Sequence, residues 1–287
     1  MAATTSRYDV NLSILFTELA LLDRPGAAAD AGFDAVELWW PFDTPTPRDR
    51  EVDALVRSLA DAGVRLVGLN FDAGDMAGGA RGLLSDPRTV QRFRDNIDVA
   101  VGIAEQTGCS AMNALYGNRV EGVDPQQQDE IATENLTLAA RAADRIGAVV
   151  LIEALNSYES PRYPLVSSAD AIGVLDRVQR EGAVDNVALL ADLYHLARMG
   201  EDPAAVVASH LDRIGHVQIA DVPDRHQPGT GDLDLDAVLA ALDDGGYAGY
   251  IGLEYTPLGP SADSFDWLPR EDRAATGTPR PTSTGGP

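Results

Sequence analysis

Five polar residues close short apolar runs in this chain. Glu37 falls within Phe33–Leu38, Glu153 ends Ala148–Glu153, and Asp192 ends Val187–Asp192. Gln218 falls within His216–Ile219, and Glu254 ends Tyr250–Glu254. Four of the five are carboxylic. A lone acidic residue at such a place is usually a helix N-cap or a salt-bridge partner. Several converging on one mouth are unstable unless a cation or protons neutralise them. A divalent metal is the simplest neutraliser. Glu153, Asp192, Gln218 and Glu254 offer only oxygen, which suits Mg²⁺ or Mn²⁺ better than Zn²⁺. Glu37 stands outside that preferred set and is assigned to the substrate side.

Other residues are candidates to touch a substrate. His195 lies three residues after Asp192, in Asp192-Leu193-Tyr194-His195, just above the sixth run and facing the mouth. Glu159 follows Glu153 by six residues. Arg225 follows Gln218 by seven and could grip a substrate carboxylate as a fork. Arg81, in a Gly-rich loop, is the rival anion binder. The remaining histidines are weaker candidates. His210 ends a helix, His226 sits in a loop near Arg225, and His216 alternates with Gln218, so it points inward as packing or support. Cys109, the one cysteine, reads as a small buried hydrophobe and permits no internal disulfide.

The elements that must position these residues follow one rhythm. A helix-patterned stretch ends near a Gly, and a short apolar run follows. The runs are Val10–Leu15, Phe33–Leu38, Val64–Phe71, Ser110–Leu115, Ala148–Glu153, Val187–Asp192, His216–Ile219 and Tyr250–Glu254. The Gly is the left-handed helix stop, and near-continuous apolar runs are strands buried on both faces. Amphipathic segments lie between them: 48–62, 89–107, 126–146, 168–181 and 235–244. Asp124-Pro125 and Asp202-Pro203 are helix starts. Eight strands alternating with helices in 287 residues predict a single-domain α/β fold, a (β/α)8 barrel over 1–269. An open doubly wound sheet usually carries a G-x-G-x-x-G after a strand, and none is present. In the barrel, strand C-terminal ends build the active site. The loop 72–86, with four glycines, is read as a candidate lid. The tail 270–287, rich in Pro, Thr and Gly, is expected to be disordered.

Composition removes several functions. The net charge is −23, and all 22 basic residues are Arg. With no Lys, Schiff-base, pyridoxal-phosphate and P-loop chemistry are excluded. Scattered Arg on so acidic a chain predicts no nucleic-acid partner and no anionic membrane surface. No signal peptide and no run long enough for a membrane span is read, so a cytoplasmic protein is expected.

The motifs identify a resemblance. The chain resembles hydroxypyruvate isomerases, within the xylose-isomerase-like barrels of sugar isomerases and epimerases. It does so through Asn11-Leu12-Ser13, Gly32-Phe33 with Val36-Glu37, Pro41-Phe42-Asp43, and the loop from Ala73-Gly74-Asp75 to Gly79-Ala80-Arg81-Gly82. It continues through Asn113, Leu151-Ile152-Glu153 with Asn156, Asp192-Leu193-Tyr194-His195, Gly215 to Asp221, Pro228-Gly229-Thr230-Gly231 and Glu254-Tyr255. The resemblance runs to about Tyr255. Gln218 matches the Gln-bearing branch, where related epimerases commonly carry His. Departures are Met76 in place of a common aromatic, Ala80 in place of Glu, Val222-Pro223-Asp224, and Thr256 after Tyr255.

The resemblance implies that Glu153, Asp192, Gln218 and Glu254 hold the metal. It makes Glu153 and Glu254 the acid/base pair and sets Glu159 and His195 beside the substrate. The expected activity is that of an intramolecular oxidoreductase of glyoxylate and carbohydrate metabolism, interconverting hydroxypyruvate and tartronate semialdehyde through an enediolate. Alternatives on the same barrel are a 2-oxo-tetronate isomerase, a ketose 3-epimerase and an inosose dehydratase. A small 2-oxo acid or sugar is the expected partner, and a homo-oligomer is expected by analogy. A DNA-repair endonuclease on this barrel would need several His ligands and a basic face. A non-catalytic sugar-acid binder would not need both glutamates.

Overall fold

The computed structural model describes residues 6–274. Eight parallel strands close into a barrel in sequence order. They are β1 (Arg7–Asn11), β2 (Ala35–Leu38), β3 (Arg65–Asn70), β4 (Ala111–Asn113), β5 (Val149–Glu153), β6 (Val187–Asp192), β7 (Ile214–Ile219) and β8 (Tyr250–Leu253). Register Tyr8↔Ile251 closes the ring between β1 and β8. The helices are α1 (Arg24–Asp30), α2 (Asp49–Ala62), α3 (Val90–Thr107), α4 (Pro125–Asp144), α5 (Ser168–Gly182), α6 (Leu193–Arg198), α7 (Pro203–His210) and α8 (Leu235–Gly245). The predicted (β/α)8 barrel is therefore the fold.

Local chemistry explains the boundaries. Gly63 and Gly108 take φ of 70° and 72° at the ends of α2 and α3, where a Cβ would be strained, and the chain turns into β3 and toward β4. Asp124 and Asp202 cap α4 and α7 through their carboxylates, each followed by Pro at the first helical position. Leu, Val, Ile and Ala from strands and helices fill one large core, and Ala111, Leu151 and Leu190 form a second, small cluster.

The first strand differs from its expected span. It ends at Asn11 rather than Leu15, because Ile14 and Leu15 donate their N–H groups back to Asn11 O and form a turn. The last turn also departs from the regular alternation. No α-helix follows β8 among the described residues. Two 3-10 turns, Ser261–Phe265 and Arg270–Asp272, take its place. Phe265 is buried against Phe16, Phe33 and Tyr255. Arg273 donates to the carbonyls of Ala31, Phe265 and Leu268. The segment expected to be disordered from Arg270 thus begins with residues tied to the barrel. The remainder of that tail, 275–287, lies outside the described residues.

The long loop after β3 is half anchored. Gly82 bridges to Tyr116, and Leu83, Leu84 and Ser85 are buried. Gly74–Arg81 and Asp86 are exposed or half-buried.

Candidate active site

Parallel strands point alternate side chains into the barrel, and those at the C-terminal ends open to the mouth. Glu153, Asp192, Gln218 and Glu254 come from β5, β6, β7 and the residue just past β8, and all four are buried. The mouth holds a cleft of about 310 Å³ whose lining includes Glu153, Glu254, His195, Glu159, Arg81 and Arg225.

Each glutamate is fixed along one edge by an amide. Asn113 Nδ2 donates to Glu153 Oε2 over 2.8 Å. Asn11 Nδ2 donates to Glu254 Oε2 over 2.8 Å, and Gln218 Nε2 donates to the same oxygen. Arg225 Nη2 donates to Glu254 Oε1 and stands 3.5 Å from Asp192 Oδ2. The guanidinium is over the Tyr194 ring at 5.2 Å. Tyr194 in turn donates to Glu159 Oε1.

His195 has a defined tautomer. The backbone N–H of Asn156 donates to its Nδ1 over 3.3 Å, so that nitrogen is an acceptor and Nε2 carries the proton. Nε2 lies 3.5 Å from Asp192 Oδ2 and 3.9 Å from Glu153 Oε1. Burial, with Arg225 and Arg81 nearby, holds the imidazole well below its usual range, so it is neutral. It offers an N–H to the cleft.

The carboxyls are strained electrostatically in the opposite sense. Burial pushes Glu254 up to about 8 against the opposing pull of Arg225, with Asp192 adding repulsion. Burial raises Asp192 to about 6, again opposed by Arg225. Glu153 is held well above its ordinary value by burial and by Glu254 and Asp192.

The donor chemistry fits a hard divalent cation. Asp192 Oδ2 and Gln218 Oε1 are buried oxygens with no hydrogen-bond partner among the described residues. Buried polar atoms are rarely left so. With Glu153 and Glu254 they supply oxygen only, the set that Mg²⁺ or Mn²⁺ takes.

Not every expected contact is made at the cleft. Glu37 does not line it. Its carboxylate lies beneath, accepting from Asn11 at 2.9 Å and Gln218 at 2.7 Å, and facing His216 Nε2 at 2.8 Å. The reason is pleat geometry: Glu37 sits mid-strand, one residue before β2 ends, and points into the barrel interior. The two rival arginines separate as well. Arg225 is engaged with the site carboxylates. Arg81 is tethered through Nε to Ser160 Oγ and through Nη1 to the Met76 and Ala80 carbonyls, while Nη2 has no protein partner among the described residues.

Residues outside the acidic pattern also contribute. Asn11 and Asn113 close β1 and β4 as neutral amides. A polar residue ending an apolar strand, whatever its charge, would have flagged them. Asp9, two residues before Asn11, is buried with neither carboxylate oxygen hydrogen-bonded among the described residues, and burial and Glu37 hold it well above its ordinary value.

The family model described as xylose isomerase-like TIM barrel matches residues 25–271. The chain belongs to the xylose isomerase-like TIM barrel family. Within it, the chain is 59% identical over 278 residues to a protein of Streptomyces coelicolor named putative hydroxypyruvate isomerase, covering 96% of this chain and all of the relative. It is 31% identical to the hydroxypyruvate isomerase of Escherichia coli, over 91% of this chain and 98% of that one. It is 32% identical to a 2-oxo-tetronate isomerase of Pectobacterium atrosepticum, over 91% and 96%. Among solved structures, an AP endonuclease family 2 protein from Brucella melitensis superposes with a TM-score of 0.82 at 36% identity, over 91% of this chain and 97% of that one. Family and relatives make this xylose isomerase-like barrel an isomerase. No helix among its described residues is long and apolar enough to cross a membrane.

Proposed function

We propose that the chain interconverts hydroxypyruvate and tartronate semialdehyde, moving a proton between adjacent carbons through an enediolate. The observation that carries this reading is the pair Glu153 and Glu254. They project into one small cleft, each pinned along one carboxylate edge by an amide, beside the unpartnered oxygens of Asp192 and Gln218. Those four residues would hold a divalent cation, which neutralises the carboxylates and withdraws charge from the substrate oxygens.

The chain's own groups supply the rest. One of Glu153 and Glu254 takes the proton from the carbon bearing the hydroxyl. A glutamate then returns a proton to the neighbouring carbon. Pinning by Asn113 leaves Oε1 of Glu153 as its freer oxygen, whereas Oε1 of Glu254 accepts from Arg225. His195 Nε2–H donates to a substrate oxygen, as a neutral imidazole can at ordinary pH. Arg81, with Nη2 uncommitted, receives the substrate carboxylate. Arg225 and Glu159 form the wall beside it.

The relative at 59% identity favours the three-carbon acid, whereas the relatives named 2-oxo-tetronate isomerase would extend it by one carbon. A nuclease on this barrel would call for several His donors, and the cleft offers His195. Protein loaded with Mn²⁺ or Mg²⁺ and incubated with hydroxypyruvate in D₂O, followed by NMR, tests the reading. Metal-dependent conversion, lost in Glu254→Gln, supports it. Turnover of a four-carbon 2-oxo acid or a free ketose, and none of hydroxypyruvate, moves the substrate. No turnover of any of them sinks the isomerase chemistry.

A further inference from the structure

Beneath the cleft, Glu37 makes an arrangement that the proposed chemistry does not use directly. Glu37 Oε1 and Glu254 Oε2 are bridged by two amide groups. Asn11 Nδ2 donates to both, and Gln218 Nε2 donates to both. The orientation of each amide is determined. Asn11 Oδ1 accepts the Ser13 N–H over 2.9 Å, so the other end must be the nitrogen. Gln218 faces one oxygen each of Glu37 and Glu254, which only accept when the carboxyls are ionised, as a bound cation would keep them. Its Oε1 is therefore turned the other way, buried and without a hydrogen-bond partner among the described residues. Glu37 is itself held from behind by His216, whose Nε2 also lies 3.8 Å from Asp9 Oδ2.

The barrel leaves room for this carboxylate at two glycines on other strands. A Cβ on Gly252 of β8 would stand 2.9 Å from Glu37 Oε1 and 3.0 Å from Gln218 Cγ. A Cβ on Gly68 of β3 would stand 3.0 Å from Glu37 Cβ and 3.1 Å from Oε2. Real Cβ atoms are seldom so close, so both positions favour glycine for the sake of Glu37.

We propose that Glu37 is a positioning residue: it fixes the Gln218 amide so that its oxygen faces the metal position, and with Asn11 it anchors Glu254. The proposal rests on the reading that Gln218 and Glu254 hold a divalent cation. Groups that orient metal ligands typically change metal affinity 10–100-fold when removed. Glu37 does so from below, and the amide flip is what it controls.

The test is a double-mutant cycle read by Mn²⁺ affinity, measured by electron paramagnetic resonance of free Mn²⁺ on purified full-length protein. Glu37→Leu should weaken Mn²⁺ binding about tenfold or more. In a Gln218→Ala background, where no amide is left to orient, the same change should cost much less, under about threefold by the same reasoning. Gly252→Ala leaves every polar group in place and crowds Glu37 and Gln218. It should weaken Mn²⁺ binding in the same direction, and it decides the question if Glu37→Leu does not fold. Unchanged affinity in folded Glu37→Leu or Gly252→Ala overturns the proposal. So does an equal loss with and without Gln218, which would make Glu37 a merely structural residue. A wild-type protein that binds no Mn²⁺ overturns both this proposal and the metal reading, and is told apart by the parent measurement alone.

Discussion

Asn113 stands 2.8 Å from Glu153 Oε2, as Asn11 stands 2.8 Å from Glu254 Oε2. Strands β4 and β1 thus each lend an amide to a glutamate of a neighbouring strand. Glu153 keeps Oε1 to exchange protons, Glu254 Oε1 also meets Arg225, and the plane of each carboxylate is set. Asn113→Ala should therefore lower kcat for hydroxypyruvate about tenfold, with a smaller change in KM. Steady-state kinetics check this. An unchanged kcat would mean that Glu153 is held adequately by its strand.

Removal of either proposed base should be far more severe. Glu153→Gln and Glu254→Gln keep the shape and lose the proton exchange, so each should cut turnover by about 10²–10⁴. Deuterium uptake from D₂O into substrate separates the two. The variant that still washes deuterium into the starting acid retains the first base. If both variants keep near-parent rates, neither glutamate moves the proton.

On the proposed reading the two arginines play different parts, Arg81 at the substrate carboxylate and Arg225 at the site carboxylates. Arg81→Met should raise KM for hydroxypyruvate about tenfold or more with little change in kcat, since a charge-assisted hydrogen bond from Nη2 to a carboxylate is worth about 1.5–3 kcal/mol. Arg225→Met should instead lower kcat, because it releases Glu254 and Asp192. Reversed effects would exchange the two assignments.

The raised carboxyls make metal-free protein sensitive to base. Glu254 moves from 4.5 up to about 8, and Asp192 from 3.8 up to about 6. A carboxyl raised on folding binds its proton more tightly in the folded chain. The folded state is then favoured below the unfolded values, and that advantage is lost as pH rises through the folded ones. His216, raised to about 9 by its bond to Glu37 in spite of burial, loses stabilising charge in the same direction. The Tm of EDTA-treated protein should therefore fall between about pH 5 and about pH 9. Added Mn²⁺ should oppose the fall, since metal and protons compete for the same oxygens. Glu254→Gln should flatten the slope in part. A Tm flat across this range would refute the buried-carboxyl account.

The seat of the Arg81 loop depends on one glycine. Gly82 has φ of 106°, and a Cβ there would lie 1.9 Å from Leu115 O. Gly82→Ala should destabilise the chain by more than about 1 kcal/mol and raise KM through the displaced neighbour Arg81. Chemical denaturation beside kinetics would show whether the two losses travel together.

Much of this protein is legible along the chain. Apolar runs located all eight strands, the first only in part, because strands buried on both faces must be apolar. Gly32, Gly63, Gly108 and Gly147, ahead of four of the runs, are left-handed, while Gly215 lies inside β7 and Gly249 is not left-handed. The strand C-terminal ends then brought Glu153, Asp192, Gln218 and Glu254 to one mouth, since the barrel gathers all such ends on one face. Tertiary structure alone decided the rest. Glu37 looks like its neighbours in sequence, yet the pleat and the space left by Gly68 and Gly252 sink it below the cleft. Arg81 and Arg225 are equal candidates by type, and only their hydrogen bonds show which is already committed. Residues from Arg270 join the barrel because Arg273 donates to the distant Ala31 carbonyl as well as to the nearby carbonyls of Phe265 and Leu268. Periodicity and strand-end position are local properties of the chain. The partner of a side chain depends on which distant segments close around it, and no spacing along the sequence encodes that distance.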